Sequence, residues 1–111
     1  MNPQNGYDIE DIAVGMSAET AKTITDADIV LFAGVSTDVN AVHMDEEFGK
    51  TTMFGGRIAH GMLSASLLSA VLGNRLPGPG TIYLSQSLRF RAPVRPGDTV
   101  HAKATVREVI V

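Results

Sequence analysis

Apolar side chains in RIAHGMLSASLLSAVLGNRL, residues 57 to 76, recur at helical spacing: Ile58, Met62, Leu63, Leu67, Leu68, Val71 and Leu72. The rest of the circumference between Ile58 and Asn74 is small rather than charged, so the pattern predicts a helix buried nearly all round. Gly73 and the Pro-Gly-Pro-Gly run at 77 to 80 terminate it. The period then changes to two. Ile82, Leu84, Leu88 and Phe90 alternate with polar positions across residues 81 to 91, and Val100, Ala102, Ala104 and Val106 do so across 98 to 111. Both segments read as strands, joined by the turn APVRPGD. Upstream, Thr25 and Asp28 form a capping-box variant ahead of Ile29 to Phe32, predicting a short helix that ends near Gly34. Residues 17 to 24, rich in β-capable side chains, read as a first strand. Residues 36 to 56 read as an ordered excursion over the core, with one helical turn around residues 46 to 50. The expected class is α+β, a curved antiparallel sheet about one buried helix.

Composition narrows the function. A chain of 111 residues with 44% hydrophobic content supports one domain, residues 1 to 111, with a real core. Its net charge of -3 comes from interspersed signs, and its basic residues cluster only at Arg89, Arg91 and Arg95, so no nucleic-acid footprint is visible. The absence of cysteine excludes disulfides and thiolate chemistry and fits a reducing compartment. The polar start MNPQNGYDIEDI is unlike a signal peptide, and no apolar run approaches the roughly 20 residues of a membrane span. The expected location is the cytoplasm, with no membrane partner.

The candidate chemistry lies in STDVNAVHMD, residues 36 to 45. An Asp and a His are common partners in acid–base work, and Asp38 and His43 stand five apart beside Asn40, which can fix a loop by side-chain bonding to the backbone. As a bare spacing, this pair also suits a turn cap and a surface histidine. His60-Gly61 opens the long helix, where unpaired N–H groups and a positive dipole end suit a developing oxyanion and glycine permits close approach. An ordinary helix entry would look the same. Ser66 and Ser69 suit bonding to the carbonyl one turn back. Asp45, Glu46 and Glu47 read as a solvated acidic face, His101 as exposed, and no spacing resembles a metal site.

The runs FAGVSTDVNAVHMDEEFGKTTMFGGRIAHGM and LPGPGTIYLSQSLRFRAPVRPGDTV resemble the MaoC-like (R)-specific enoyl-CoA hydratase family. Its signature is a serine, a variable position, Asp, a variable position, Asn, Pro, an aliphatic residue and His, and residues 36 to 43 follow it with Ala41 in place of proline. The second run is also similar to the MaoC-like domain that precedes some phosphate acyltransferases. The resemblance spans residues 25 to about 107. It implies a hot-dog fold, a sheet wrapped around a long central helix, and a homodimer.

Carried over by position, the resemblance implies Asp38 and His43 as the catalytic pair, Gly61 as the backbone donor to the thioester carbonyl, and Asn40 and Ser69 as supporting polar groups. The implied partner is an acyl-CoA, with CoA belonging to the substrate, no separate cofactor and no metal. Arg89, Arg91 and Arg95 are the candidates for its phosphates. The chain has three expected strands where the family has more, so a fragment of a longer protein, with activity dependent on the remainder, is one expectation. Three other functions fit the same pattern: an acyl-CoA-binding or regulatory module without turnover, a thioesterase, and a dimerisation domain.

Overall fold

In a computed structural model, residues 6 to 111 are described; the first five residues of the polar start lie outside the described residues. After a single 3-10 turn, Ile9–Asp11, come β1 (Ser17–Thr23), α1 (Asp26–Ser36), α2 (Ala41–Met44), α3 (Glu46–Lys50), α4 (Gly61–Asn74) and β2 (Thr99–Thr105). β1 and β2 form the sheet of the described residues. Its register is antiparallel: Gly15 and Val106 meet at one end, where Val106 N–H also donates to Met16 O, and Ile24 meets Gly97 and Asp98 at the other.

Contacts divide the chain into two compact units. One holds the residues up to Ala21 with Ser66–Ser87 and His101–Val111; the other holds Lys22–Ala65 and Leu88–Val100. In the first, Val71, Leu76 and Ala102 are buried, and Arg75 Nη1 donates to Glu19 O at 2.9 Å. In the second, Ile24, Ile29, Ala59 and Leu63 form a core against which Phe32, Val94 and Val100 pack. Removing these apolar side chains from water is the main stabilising term available to a chain of this size.

Local chemistry explains the helices. Thr25 Oγ1 accepts from Asp28 N–H at 3.1 Å while Asp28 Oδ2 accepts from Thr25 N–H at 2.9 Å, so the expected capping box starts α1. The Thr25 backbone N–H, with the Lys22 ammonium 2.9 Å away, holds the Asp28 carboxyl below its ordinary value. α1 runs past Gly34 and stops at Thr37, whose φ of 65° is the left-handed conformation that closes a helix. Asn40 Oδ1 accepts from Val42 N–H at 3.1 Å and caps α2; Asp45 Oδ1 accepts from Glu47 and Phe48 N–H and caps α3. The turn expected at residues 46 to 50 is α3. At Gly49 a Cβ would stand 2.5 Å from the Gly56 carbonyl carbon, so only glycine lets these backbones meet.

Four expectations are corrected. Residues 81 to 91 alternate as a strand in sequence, yet no ladder partner runs beside them among the described residues, and Ile82 and Leu84 are 77% and 89% exposed. A strand is defined by its neighbour, and alternation alone supplies no ladder hydrogen bonds. The long helix begins at Gly61 rather than residue 57, because Ile58 N–H donates to Val42 O and Ala59 N–H to Val94 O, committing that backbone elsewhere. Nor is α4 buried all round: Leu63 and Val71 are buried, while Met62, Ser66 and Ser69 are exposed. A sheet of two strands lacks the width to cover every face of a helix. The last strand likewise ends at Thr105; Val100, Ala102 and Ala104 turn inward and His101, Lys103 and Thr105 outward, as the alternation predicts.

Candidate active site

The second unit alone builds the site. Asp38, His43, His60 and Gly61 line one cavity of about 560 Å³, with Phe90 and Val94 on its wall. The start of the segment read as an excursion over the core is a cap and one helical turn. α1 ends at Thr37, Asp38 Oδ1 accepts from Asn40 N–H at 3.3 Å, and Asn40 caps the turn that carries His43. Asn40 is therefore a support for the geometry of the pair. Ala41, standing where the related pattern has proline, is the first residue of α2, a position where proline is favoured because its N–H has no helical acceptor. Alanine fills it without changing the arrangement.

The imidazoles are set by backbone carbonyls. His43 Nδ1 lies 2.8 Å from Ile58 O, so Nδ1–H donates there and leaves the Nε2 lone pair free. His60 Nε2 lies 2.8 Å from Asp38 O, so Nε2–H donates and Nδ1 is bare. The two rings stack with centroids 3.9 Å apart and planes at 28°. One ligating atom each from Asp38, His43 and His60 lies within 4.8 Å of the others. Such a set could reach a divalent cation, a juxtaposition that the sequence spacing did not signal.

Gly61 begins α4, and its N–H takes no backbone acceptor among the described residues. The positive end of the helix backs this donor at the cavity wall. Arg57 braces the surround: its guanidinium pairs with Asp26 and with Glu46 and donates to His43 O at 3.3 Å, tying the start of α1, the start of α3 and the end of α2 together. Glu46 thus has a partner, Asp45 is a helix cap, and the exposed Glu47 pairs with Lys50 at 3.3 Å. The expected arginine cluster separates. Arg89 and Arg91 line the same cavity as Asp38 and His43, while the Arg95 guanidinium donates to Phe54 O at 2.8 Å. Ser69 is exposed and belongs to the other unit. His60, Phe90 and Arg57 had no assigned role from sequence. The signal for His60 was a histidine set directly before the glycine that opens an apolar helix.

A carboxylate, an imidazole and a helix-start N–H around one cavity, in an α+β chain, are groups suited to adding or removing water beside a carbonyl. The chain belongs to the MaoC like domain family, which matches residues 10 to 111. It is 60% identical over 101 residues to an (R)-specific enoyl-CoA hydratase of Rhodospirillum rubrum, covering 91% of this chain and 70% of that protein. It is 52% identical to a 3-hydroxybutyryl-CoA dehydratase of Methylorubrum extorquens, covering 91% of this chain and 64% of that one. Among solved structures, the (R)-hydratase of Aeromonas caviae superposes with a TM-score of 0.87 at 45% identity, over 89% of this chain and 75% of that chain. The hot-dog fold expected from the sequence is thereby established. The chain spans roughly two thirds to three quarters of the length of these relatives. No helix among the described residues is long and apolar enough to cross a membrane.

Proposed function

We propose that the protein is an (R)-specific enoyl-CoA hydratase, adding water across a trans-2-enoyl-CoA to give the (R)-3-hydroxyacyl-CoA and catalysing the reverse dehydration. The observation that carries this reading is the convergence of Asp38 and His43, with one polar side-chain atom of each within 4.8 Å of the other, on one cavity that also exposes the start of α4. The pair holds one water. As the water oxygen bonds to C3, one member of the pair accepts its proton and the C2=C3 electron pair moves onto the thioester as an enolate. The Gly61 N–H receives the negative charge on the thioester oxygen. The proton is then returned through the pair to C2, so one water supplies both the hydroxyl and the hydrogen. The step needs no group beyond the substrate's own CoA.

Arg89 and Arg91, at the cavity and exposed, are suited to the CoA phosphates; Arg95, with its guanidinium on Phe54 O, is a weaker candidate. A homodimer is part of the same reading, supported by the exposed apolar side chains Val30, Leu31 and Val35 on α1 and by the unpaired segment 81 to 91.

Incubation with crotonyl-CoA tests the function. Loss of the enoyl chromophore with formation of (R)-3-hydroxybutyryl-CoA is expected. Release of free CoA from acyl-CoA without hydration would make the protein a thioesterase, and binding without either reaction a module that does not turn over. Sedimentation at micromolar concentration tests the dimer, which a monodisperse monomer would overturn.

A further inference from the structure

His60 is 2% exposed and is the buried polar or charged residue in the core of the described chain. Packing alone does not account for it. A phenylalanine of similar size would fill the same space against Phe32, whose ring centroid lies 4.9 Å away, without leaving a bare nitrogen, and His60 Nδ1 is buried with no hydrogen-bond partner. What a phenylalanine would lack is the Nε2–H, and that bond goes to the carbonyl of Asp38.

The remaining bonds of Asp38 are local: its N–H donates to Ser36 Oγ and its carboxylate accepts from Asn40 N–H. The bond from His60 spans 22 residues and is the one that fixes the Asp38 peptide, next to the left-handed Thr37, to the buried interior. The face of the same imidazole lies 3.9 Å from the ring of His43. One side chain therefore touches both members of the water-holding pair, the first through its backbone and the second through its ring.

Resting on the hydratase reading above, we infer that His60 is the positioning residue of the site: its Nε2–H sets Asp38, its ring face sets His43, and it touches neither water nor substrate. Two conservative variants separate these roles. His60→Gln places an amide N–H at the reach of Nε2 but has no ring; His60→Phe keeps the ring but has no donor. Each is expected to lower kcat on crotonyl-CoA by about ten-fold with KM within about two-fold, and His60→Ala by about a hundred-fold, so that each conservative variant restores part of what alanine loses.

Wild-type kcat in both conservative variants overturns the inference. So does a raised KM at constant kcat, which would place His60 against the substrate, and so does full recovery of kcat and Tm by His60→Phe, which would reduce it to packing. If the wild-type protein hydrates nothing, the hydratase reading fails, and the positioning role is then decided by the imidazole nitrogens in long-range 15N–1H spectra. His43 is expected as the Nδ1–H tautomer in the wild type and as a mixture in His60→Ala. An unchanged His43 spectrum in that variant overturns the inference without reference to activity.

Discussion

Gly61 and Phe90 approach so closely that a Cβ on Gly61 would stand 2.9 Å from Cε1 of the Phe90 ring. The glycine at the helix start thus lets an aromatic ring form part of the cavity wall beside the N–H proposed to receive the thioester oxygen. In Gly61→Ala the ring, 59% exposed, has room to swing away, so folding survives while the wall is lost. The expected result is a fall in kcat/KM of on the order of ten-fold, with Tm changed by only a few degrees. Hydration kinetics and a melting curve on the same sample check it.

Asp38→Asn keeps size and hydrogen-bonding capacity but removes proton acceptance. Hydration should fall by on the order of 100-fold or more, with enoyl-CoA affinity and Tm nearly unchanged. Asn also tolerates the local turn and accepts from the Asn40 N–H, so near-normal hydration by this variant would leave Asp38 as a cap alone.

Ala41→Pro restores the residue of the related pattern at the first position of α2. The ψ of Asn40, 134°, is already in the extended range that a following proline requires. No hydrogen bond is lost, because the Asn40 cap engages Val42 N–H. A gain of about 0.4–1 kcal/mol in unfolding free energy is expected from the stiffer unfolded chain, with kcat unchanged, and denaturant titration measures it.

The Asp28 carboxyl gives α1 a defined acid response. Its folded-state value is lowered from 3.8 by the Thr25 N–H and the Lys22 ammonium. Its contribution to stability is therefore fully present above the ordinary carboxylate value and is lost as pH falls through the lowered one. Asp28→Ala should have a lower Tm than wild type at neutral pH, and the two should converge in strong acid. Melting curves across that range reveal the convergence or its absence.

Where the sequence carries a local device, it was legible. Thr25 with Asp28 announces α1, Val100 with Ala102 and Ala104 announces β2, and Asp38 and His43 announce two residues that meet at the candidate cavity. Long-range relationships were hidden. Nothing in the alternation of Ile82 and Leu84 reveals whether a neighbouring strand is present, and the helical spacing of Ile58 gives no sign that its N–H is claimed by Val42. His60 looked like an ordinary helix entry because its importance lies in two contacts, one spanning 22 residues. Arg57, meeting Asp26, Glu46 and His43, is likewise defined by the fold rather than by its neighbours in sequence.

The unpaired segment also bears on how the protein behaves in a concentrated solution. TIYLSQSL, residues 81 to 88, has high β-propensity and carries neither charge nor proline. Those are the properties of a stretch that adds to copies of itself as stacked cross-β layers. Pro79 on one side, with Arg89, Arg91 and Pro93 on the other, act as gatekeepers that interrupt such stacking. Replacing the two arginines would therefore shorten the time that the purified protein stays free of fibrils, even with Asp38, His43 and Gly61 left in place.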